Sequence, residues 1–299
     1  MDAKICSTFN PDFSETVAYN NPLFPAYIRN GNLSSYPDYS ASSHWHDDLE
    51  FILIKKGHMT YNVNGVLIEL PEDTGIMVNS RQLHYGFSAK HHECDFVCIL
   101  LSPELLRANE WFYENYIESL LENTTCPFLL LSHDDWTASI LEKLAHLSDI
   151  FSVSTPEDAV YFEVIEIFLS IAEILYHHLP PRKKSDTKTL TELRSLKNMI
   201  NYIEQHFAMH ISLSDIAASG ICCKSKCSSL FKKYLHDTPI SYLTKLRLRK
   251  SLSALLESDI CITDIALQYG FNGASYYCEA FKNHYGISPL KYRKIHWNT

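Results

Sequence analysis

One short pattern is written twice near the C-terminus of this chain. Asp215-Ile216-Ala217 is followed by Leu230-Phe231-Lys232-Lys233, and Asp264-Ile265-Ala266 by Ala280-Phe281-Lys282-Asn283. Self-similarity at a fixed spacing marks a repeated structural unit. The Asp-Ile-Ala signatures are offset by 49 residues, whereas Phe231/Phe281, Lys232/Lys282, Pro239/Pro289 and Tyr242/Tyr292 are offset by 50. The change of offset places one gained or lost residue in the turn of the unit.

Each copy reads as a helix, a turn and a second helix. The first helices are Leu213 to Ser219, capped by Ser212 or Ser214, and Ile262 to Gln268, capped by Thr263. The second helices cover about 224–235 and 274–285. Tyr269-Gly270-Phe271 supplies the second turn, because glycine adopts the left-handed backbone that a tight helix-helix turn needs. Ile221 stands where Gly270 stands, with Gly220 one residue earlier. A β-branched residue is strained at positive φ, so the first turn is expected to be built differently. One helix over about Pro239–Leu256, carrying Lys245, Arg247, Arg249 and Lys250, separates the copies, and another from about Leu190 presents Leu193, Leu196, Ile200, Ile203 and Phe207 on one face.

Charge says what such a repeat meets. The 299 residues carry a formal net charge of -9, but residues 1–181 hold 8 Lys and Arg against 26 Asp and Glu, and residues 182–299 hold 18 against 9. Only the second half is suited to phosphates, where cations gain by counterion release. A helix-turn-helix lays its second helix in the major groove, and two such helices about 34 Å apart enter successive grooves. Double-stranded DNA is the expected partner.

Apolar content of 46% fits a folded chain of two domains. The nine cysteines include no CxxC pair, and the odd number reads as reduced thiols in a reducing compartment. Cys223 and Cys227 share a helix face and read as small packing groups. Met1 to Phe13 has neither a basic nor an apolar leader region, so a cytoplasmic location without a membrane partner is expected.

The front half changes period along its length. Met59, Tyr61 and Val63 alternate with polar residues, Asn64-Gly65 is a type I′ turn dipeptide, and Val66, Ile68 and Leu70 resume the alternation. Further apolar runs at Gly75–Val78 and Phe96–Leu101 complete a small antiparallel barrel or sandwich. Trp136, Ile140, Leu144, Leu147 and Phe151 then fall at helical spacing, and Pro156-Glu157-Asp158 opens a helix over about 157–178. Glu163, Glu166, Ser170, Glu173 and His177 form its narrow polar stripe, so it is either buried against its own barrel or covered in a dimer. Pro180 to Asp186 reads as a linker.

The segment from about Ile211 to Lys294 resembles the AraC family of bacterial transcription regulators, notably in Asp264-Ile265-Ala266-Leu267-Gln268-Tyr269-Gly270-Phe271 and Tyr285-Gly286-Ile287-Ser288-Pro289 before Tyr292-Arg293. The resemblance places base-facing positions at Ser225, Ser228 and Ser229 in the first recognition helix and at Ser275, Cys278 and Glu279 in the second. Lys224, Lys226, Lys232, Lys233 and Lys282 become phosphate contacts. None of the six base-facing side chains offers the Arg-to-guanine pairing; Glu279 suits a cytosine amino group or pairs with a lysine.

The run His44-Trp45-His46-Asp47-Asp48-Leu49-Glu50, with Gly57 and His84 further on, looks like the metal-binding signature of cupin barrels over about residues 20–105. Histidines at i and i+2 share one strand face, and Glu50 and His84 complete a set. Cupin-like barrels also form the sensor half of many AraC-type regulators. On that reading His44, His46, Glu50, Tyr61 and His84 border an effector site without a metal or other cofactor, and Trp45, Tyr27, Tyr85 and Phe87 add flat surfaces.

The expected architecture is α+β in two domains: a cupin-like antiparallel barrel over 1–130, a helical dimerisation segment over 131–180, a linker over 181–189, and an all-α tandem helix-turn-helix domain over 190–299. The resemblance implies a dimeric, ligand-responsive activator of metabolite genes, carbohydrate genes above all. Its partners would be DNA, a sugar or other metabolite, a second copy of the chain, and RNA polymerase. It would not be an enzyme. Two alternatives stand beside it: a metal-dependent cupin enzyme using His44, His46, Glu50 and His84, and a constitutive DNA-binding dimer.

Overall fold

The structure, a computed structural model, describes residues 8–9, 14–123, 125–151, 159–181 and 187–296. Pro156-Glu157-Asp158 and the linker beyond Pro181 lie outside the described residues. The chain divides into two units, Met1–Asp186 and Thr187–Thr299.

The first unit is a cupin-like antiparallel barrel. After a hairpin of β1 (Thr8–Phe9) and β2 (Glu15–Thr16) come β3 (Ala26–Asn32), β4 (Leu49–Val63), β5 (Val66–Pro71), β6 (Gly75–Val78), β7 (His84–Phe87), β8 (Cys94–Leu101) and β9 (Phe128–Leu131). The strand order is β3-β8-β4-β6-β9. β4 pairs with β6 and β8 along its first half and with β5 and β7 along its second, its register shifting between Ile54 and Lys56. The expected hairpin is present: Val63 pairs with Val66 across Asn64 and Gly65, at φ 50° and 86°.

Strand alternation divides two cores. Leu49, Phe51 and Leu53, with Val97, Ile99 and Leu101, face the helices; Ile52, Ile54 and Phe96 face the interior with Met59, Tyr61, Val63, Ile68 and Leu70. A short helical stretch, α1 (Glu110–Phe112) and α2 (Glu118–Leu121) joined by a π-helical turn, precedes β9. Two longer helices, α3 (Ala138–Phe151) and α4 (Val160–His178), then cover the outer sheet face. Trp136 lies before α3 and stacks on His178, ring centroids 4.5 Å apart. The narrow wet stripe expected on α4 is corrected. Glu166, Glu173 and His177 are exposed, Glu163 and Ser170 only half so, and Phe162, Ile165, Leu169 and Tyr176 are exposed as well. The face away from the barrel is therefore mixed apolar and acidic.

The second unit is all helical, built of α5 (Thr187–His206), α6 (Leu213–Ser219), α7 (Lys224–Leu235), α8 (Pro239–Glu257), α9 (Ile262–Gln268), α10 (Ala274–Tyr285) and α11 (Pro289–His296). Repeated residues hold repeated places: Ile216/Ile265, Ala217/Ala266 and Phe231/Phe281 are all buried, and Cys227 is replaced by Tyr277 at the corresponding core site. Burying each Phe contributes roughly 1.5–3 kcal/mol.

The turns correct two expectations. Ile221 does take a left-handed backbone, φ 54°, like Gly270 at 79°. The hydrogen bonds match as well: Ile221 N to Ala218 O (3.0 Å) and Cys222 N to Ala217 O (3.1 Å) against Gly270 N to Leu267 O (3.1 Å) and Phe271 N to Ala266 O (2.9 Å). Ile221 is 90% exposed, so its side chain escapes crowding and only the backbone is strained. The extra residue of the second copy comes after this turn, where Asn272 precedes Gly273 and α10. At the helix starts, Ser212 forms a capping box with Asp215, but Thr263 lies inside α9 and Cys261 occupies the cap position, its Sγ 3.1 Å from the Asp264 carboxylate.

Candidate functional site

Both second helices bury one side and present the other. On α7 Cys227, Leu230, Phe231 and Tyr234 point inward, leaving Lys224, Ser225, Ser229, Lys232 and Lys233 exposed and Lys226 and Ser228 half-buried. On α10 Tyr277 and Phe281 anchor the helix, leaving Ser275, Glu279 and Lys282 exposed and Cys278 half-buried. Ser225/Ser275, Ser229/Glu279 and Lys232/Lys282 thus occupy equivalent outward positions. Tyr276, also exposed on this surface, was not singled out by sequence reasoning. A side chain at an outward position becomes visible only once the helix rotation is known.

The cations of this unit divide by partner. Lys226 and Lys233 both reach Glu192 on α5, at 2.5 and 2.7 Å. Lys245 pairs with Asp237 at 2.9 Å and Lys250 with Glu204 at 3.6 Å. Arg247 is buried and donates to the carbonyls of Phe207 and Met209, each at 2.7 Å, closing the chain that leaves α5. Arg293 does the same for the chain leaving α8, donating to Leu255 and Ile260. Gly270 is required beside Arg247: a Cβ there would sit 2.5 Å from the Phe207 carbonyl and 2.9 Å from Arg247 Nε.

In the barrel, the side chains of His44, His46, Glu50 and His84 converge, with donor atoms all within 4.8 Å of one another. β4 carries Glu50, β7 carries His84, and a bridge between His44 and His84 brings the preceding segment alongside. Each imidazole has its Nδ1 at a backbone carbonyl: His44 to Ser42 (2.8 Å), His46 to Asp48 (3.1 Å) and His84 to Gln82 (2.8 Å). A carbonyl only accepts, so each Nδ1 carries hydrogen and each Nε2 faces the cluster centre. There the Nε2 atoms of His46 and His84 lie 3.2 and 3.3 Å from Glu50 Oε2.

Such contacts require positive charge on the rings or a cation among them, since a lone pair facing a carboxylate repels. Burial pushes the Glu50 carboxyl up, but His84 and His46 hold it well below the usual range. Burial also disfavours charged His46, yet the hydrogen bond and charge of Glu50 leave its pKa raised. At His84 burial prevails over Glu50, with His44 adding to the effect, and the pKa is lowered. Glu50 also accepts from Tyr61 OH, and Glu15 on β2 approaches His44 Nε2 at 3.4 Å.

The sequence-predicted set of His44, His46, Glu50, Tyr61 and His84 is therefore assembled in one place. Glu15 was missed, because only the fold of the N-terminal hairpin brings it there. The aromatic expectation divides. Trp45 is buried, and Tyr27, its hydroxyl pushed up to about 12 by burial and Cys98, is half-buried. Tyr85 and Phe87 alternate with His84 and Gly86 along β7 and so stand on its opposite face. A cavity of about 340 Å³ lined by Asn20, Ile28, Arg29, Asn30, Ser148 and Phe151 includes none of the cluster residues.

Three imidazole nitrogens and a carboxylate, each ring held through its other nitrogen, are a donor set that fits a divalent transition metal. Bound there, such an ion would supply Lewis acidity or a fixed anchor for an anionic or hydroxylated ligand.

Comparison with known proteins bears on both units. Residues 32–147 match the AraC-like ligand binding domain family, and residues 222–295 match a helix-turn-helix domain family. The uncharacterised HTH-type transcriptional regulator YdeC of Bacillus subtilis is 29% identical over 256 residues, covering 84% of this chain and 86% of that protein. The HTH-type transcriptional activator RhaS of Mannheimia succiniciproducens is 24% identical over 256 residues, covering 84% and 88%. Among solved structures, fatty-acid-bound ToxT of Vibrio cholerae aligns over 92% of this chain and 96% of its own, with 15% identity and a TM-score of 0.45.

Proposed function

Because the chain belongs to the AraC family of transcription regulators, we propose that it regulates promoters in response to a small molecule held in its barrel. The observation that carries this reading is the matched exposure of α7 and α10, two helices in one register, each backed by its own buried anchors. Ser225, Ser228 and Ser229, with Ser275, Cys278 and Glu279, face bases, and Lys224, Lys232 and Lys282 face phosphates. Glu279→Ala should relax preference at one base pair in binding to a set of operator variants; a uniform loss across the set would remove the base-reading role.

The effector reading places a sugar or another hydroxylated metabolite against Glu50, Tyr61 and the histidines, where buried donors and acceptors suit hydroxyl groups. A rise in melting temperature with a monosaccharide, lost in Glu50→Ala, tests it. Switching requires that the ligand bind one arrangement of the protein better than another. We place dimerisation on the outer face of α4, where Phe162, Ile165, Leu169 and Tyr176 are exposed together. On the same reading the protein acts in the cytoplasm as an activator, as the name of its RhaS relative suggests, and contacts RNA polymerase. No described helix is long and apolar enough to cross a membrane.

A second reading is favoured by the inward-facing Nε2 atoms: the barrel holds a divalent ion through His44, His46, Glu50 and His84, alone or as anchor for the metabolite.

A further inference from the structure

The first copy of the repeat carries a device that the second lacks. Glu192, on α5, is buried, with 7% of its surface exposed. Its carboxylate accepts from Lys226 Nζ at 2.5 Å, Lys233 Nζ at 2.7 Å and Tyr234 OH at 3.0 Å. Lys233 Nζ also donates to Tyr234 OH at 2.9 Å. Three α7 side chains thus close on one carboxylate of a neighbouring helix. At an offset of 50 the corresponding residues are Tyr276, Asn283 and His284, none of which carries an ammonium group. The arrangement is therefore not something the helix-turn-helix fold needs in order to form.

We propose that Glu192 is a positioning residue that seats the first recognition helix and withholds Lys226 and Lys233 from phosphate. The two ammonium groups sit on the half-exposed rim of α7, their side chains 42% and 54% exposed, so without the carboxylate they are free to swing toward a DNA backbone. With it, they serve as struts, and the affinity of α7 for generic phosphate rests on Lys224 and Lys232. The carboxylate thereby trades non-specific affinity for a fixed helix orientation. Hydrogen bonds to charged groups are strong enough to hold such a seat. The proposal rests on the reading that α7 faces DNA.

The test is a salt titration of full-length protein on a fluorescein-labelled mixed-sequence duplex, comparing wild type, Glu192→Gln, and the pair Lys226→Met with Lys233→Met. Each phosphate contact adds about 0.9 to the slope of log K against log salt. Glu192→Gln should bind this duplex more tightly at low salt, with a slope steeper by about 0.9 to 1.8, while the lysine variant keeps the wild-type slope and melts at a lower temperature. A Glu192→Gln slope equal to wild type, or a lysine variant whose slope falls by about 0.9 per residue, overturns the proposal. If Glu192→Gln does not fold, as judged by circular dichroism, the lysine variant alone decides. A wild-type protein whose binding ignores salt would instead remove the DNA-binding reading on which the proposal stands.

Discussion

Ile221 and Gly270 hold the same left-handed place in the two copies of one turn, at φ 54° and 79°. Only glycine takes that conformation freely; an L residue there costs roughly 1–2 kcal/mol. Ile221 is 90% exposed and loses little packing if truncated. Ile221→Gly should therefore stabilise the protein by about 1 kcal/mol, part of the relief being offset by a more flexible unfolded chain. Gly270→Ala should do the reverse, since its Cβ meets the Phe207 carbonyl. Thermal unfolding of both variants checks the pair.

Arg247 satisfies two carbonyls from inside the fold. Arg247→Met should lower stability by about 3 kcal/mol, because charge-assisted hydrogen bonds are lost and buried acceptors are left behind. Arg247→Lys should recover only part of it, since a lysine cannot reproduce the guanidinium fork. Urea unfolding with unchanged m-values would give both numbers.

Untagged protein incubated with Zn2+ or Ni2+ and then gel-filtered should retain a stoichiometric ion by elemental analysis and melt at a higher temperature. His84→Ala and Glu50→Gln should each lose at least tenfold in affinity. Metal-free wild type with an unmoved melting temperature would dismiss the second reading of the barrel.

The Glu192 seat has a defined pH window. Hydrogen bonds from Lys226 and Lys233 lower its pKa from 4.5 to about 2. A depressed folded-state pKa contributes stability above the ordinary value, and the contribution disappears as pH falls through the folded one. The difference in melting temperature between wild type and Glu192→Gln should be constant above pH 4.5 and shrink on acidification toward pH 2.

Dimerisation through α4 predicts that Phe162→Asp combined with Leu169→Asp yields monomers by analytical ultracentrifugation, with the circular dichroism spectrum preserved. Neither side chain contributes to the buried core of the barrel.

Much of this architecture was legible because repetition and period are local signals. The offsets located both helix-turn-helix units, and the Asn64-Gly65 dipeptide located a hairpin. The histidine spacing announced the barrel cluster. Features that depended on tertiary placement were not legible. No local rule sends Glu192 to the lysines of α7, or Glu15 to His44. Ile221 was misjudged for a different reason: propensity argues against its backbone conformation, and the turn imposed by the surrounding helices overrides that preference. The polar stripe of α4 marked hydrophilic residues correctly but not which of their apolar neighbours lay uncovered.

Glu50 and Tyr61 belong to one strand, on either side of the irregularity in β4, and yet they clasp each other across the barrel interior. The strand has the shape of a pair of tongs, with the irregularity between Ile54 and Lys56 where the arms meet. A guest that wedges between the two tips must either spread the arms or displace the tyrosine hydroxyl. Spreading would be felt along β6 and β8 on one arm and β5 and β7 on the other. On the effector reading, occupancy would thereby be converted into curvature of a single piece of backbone.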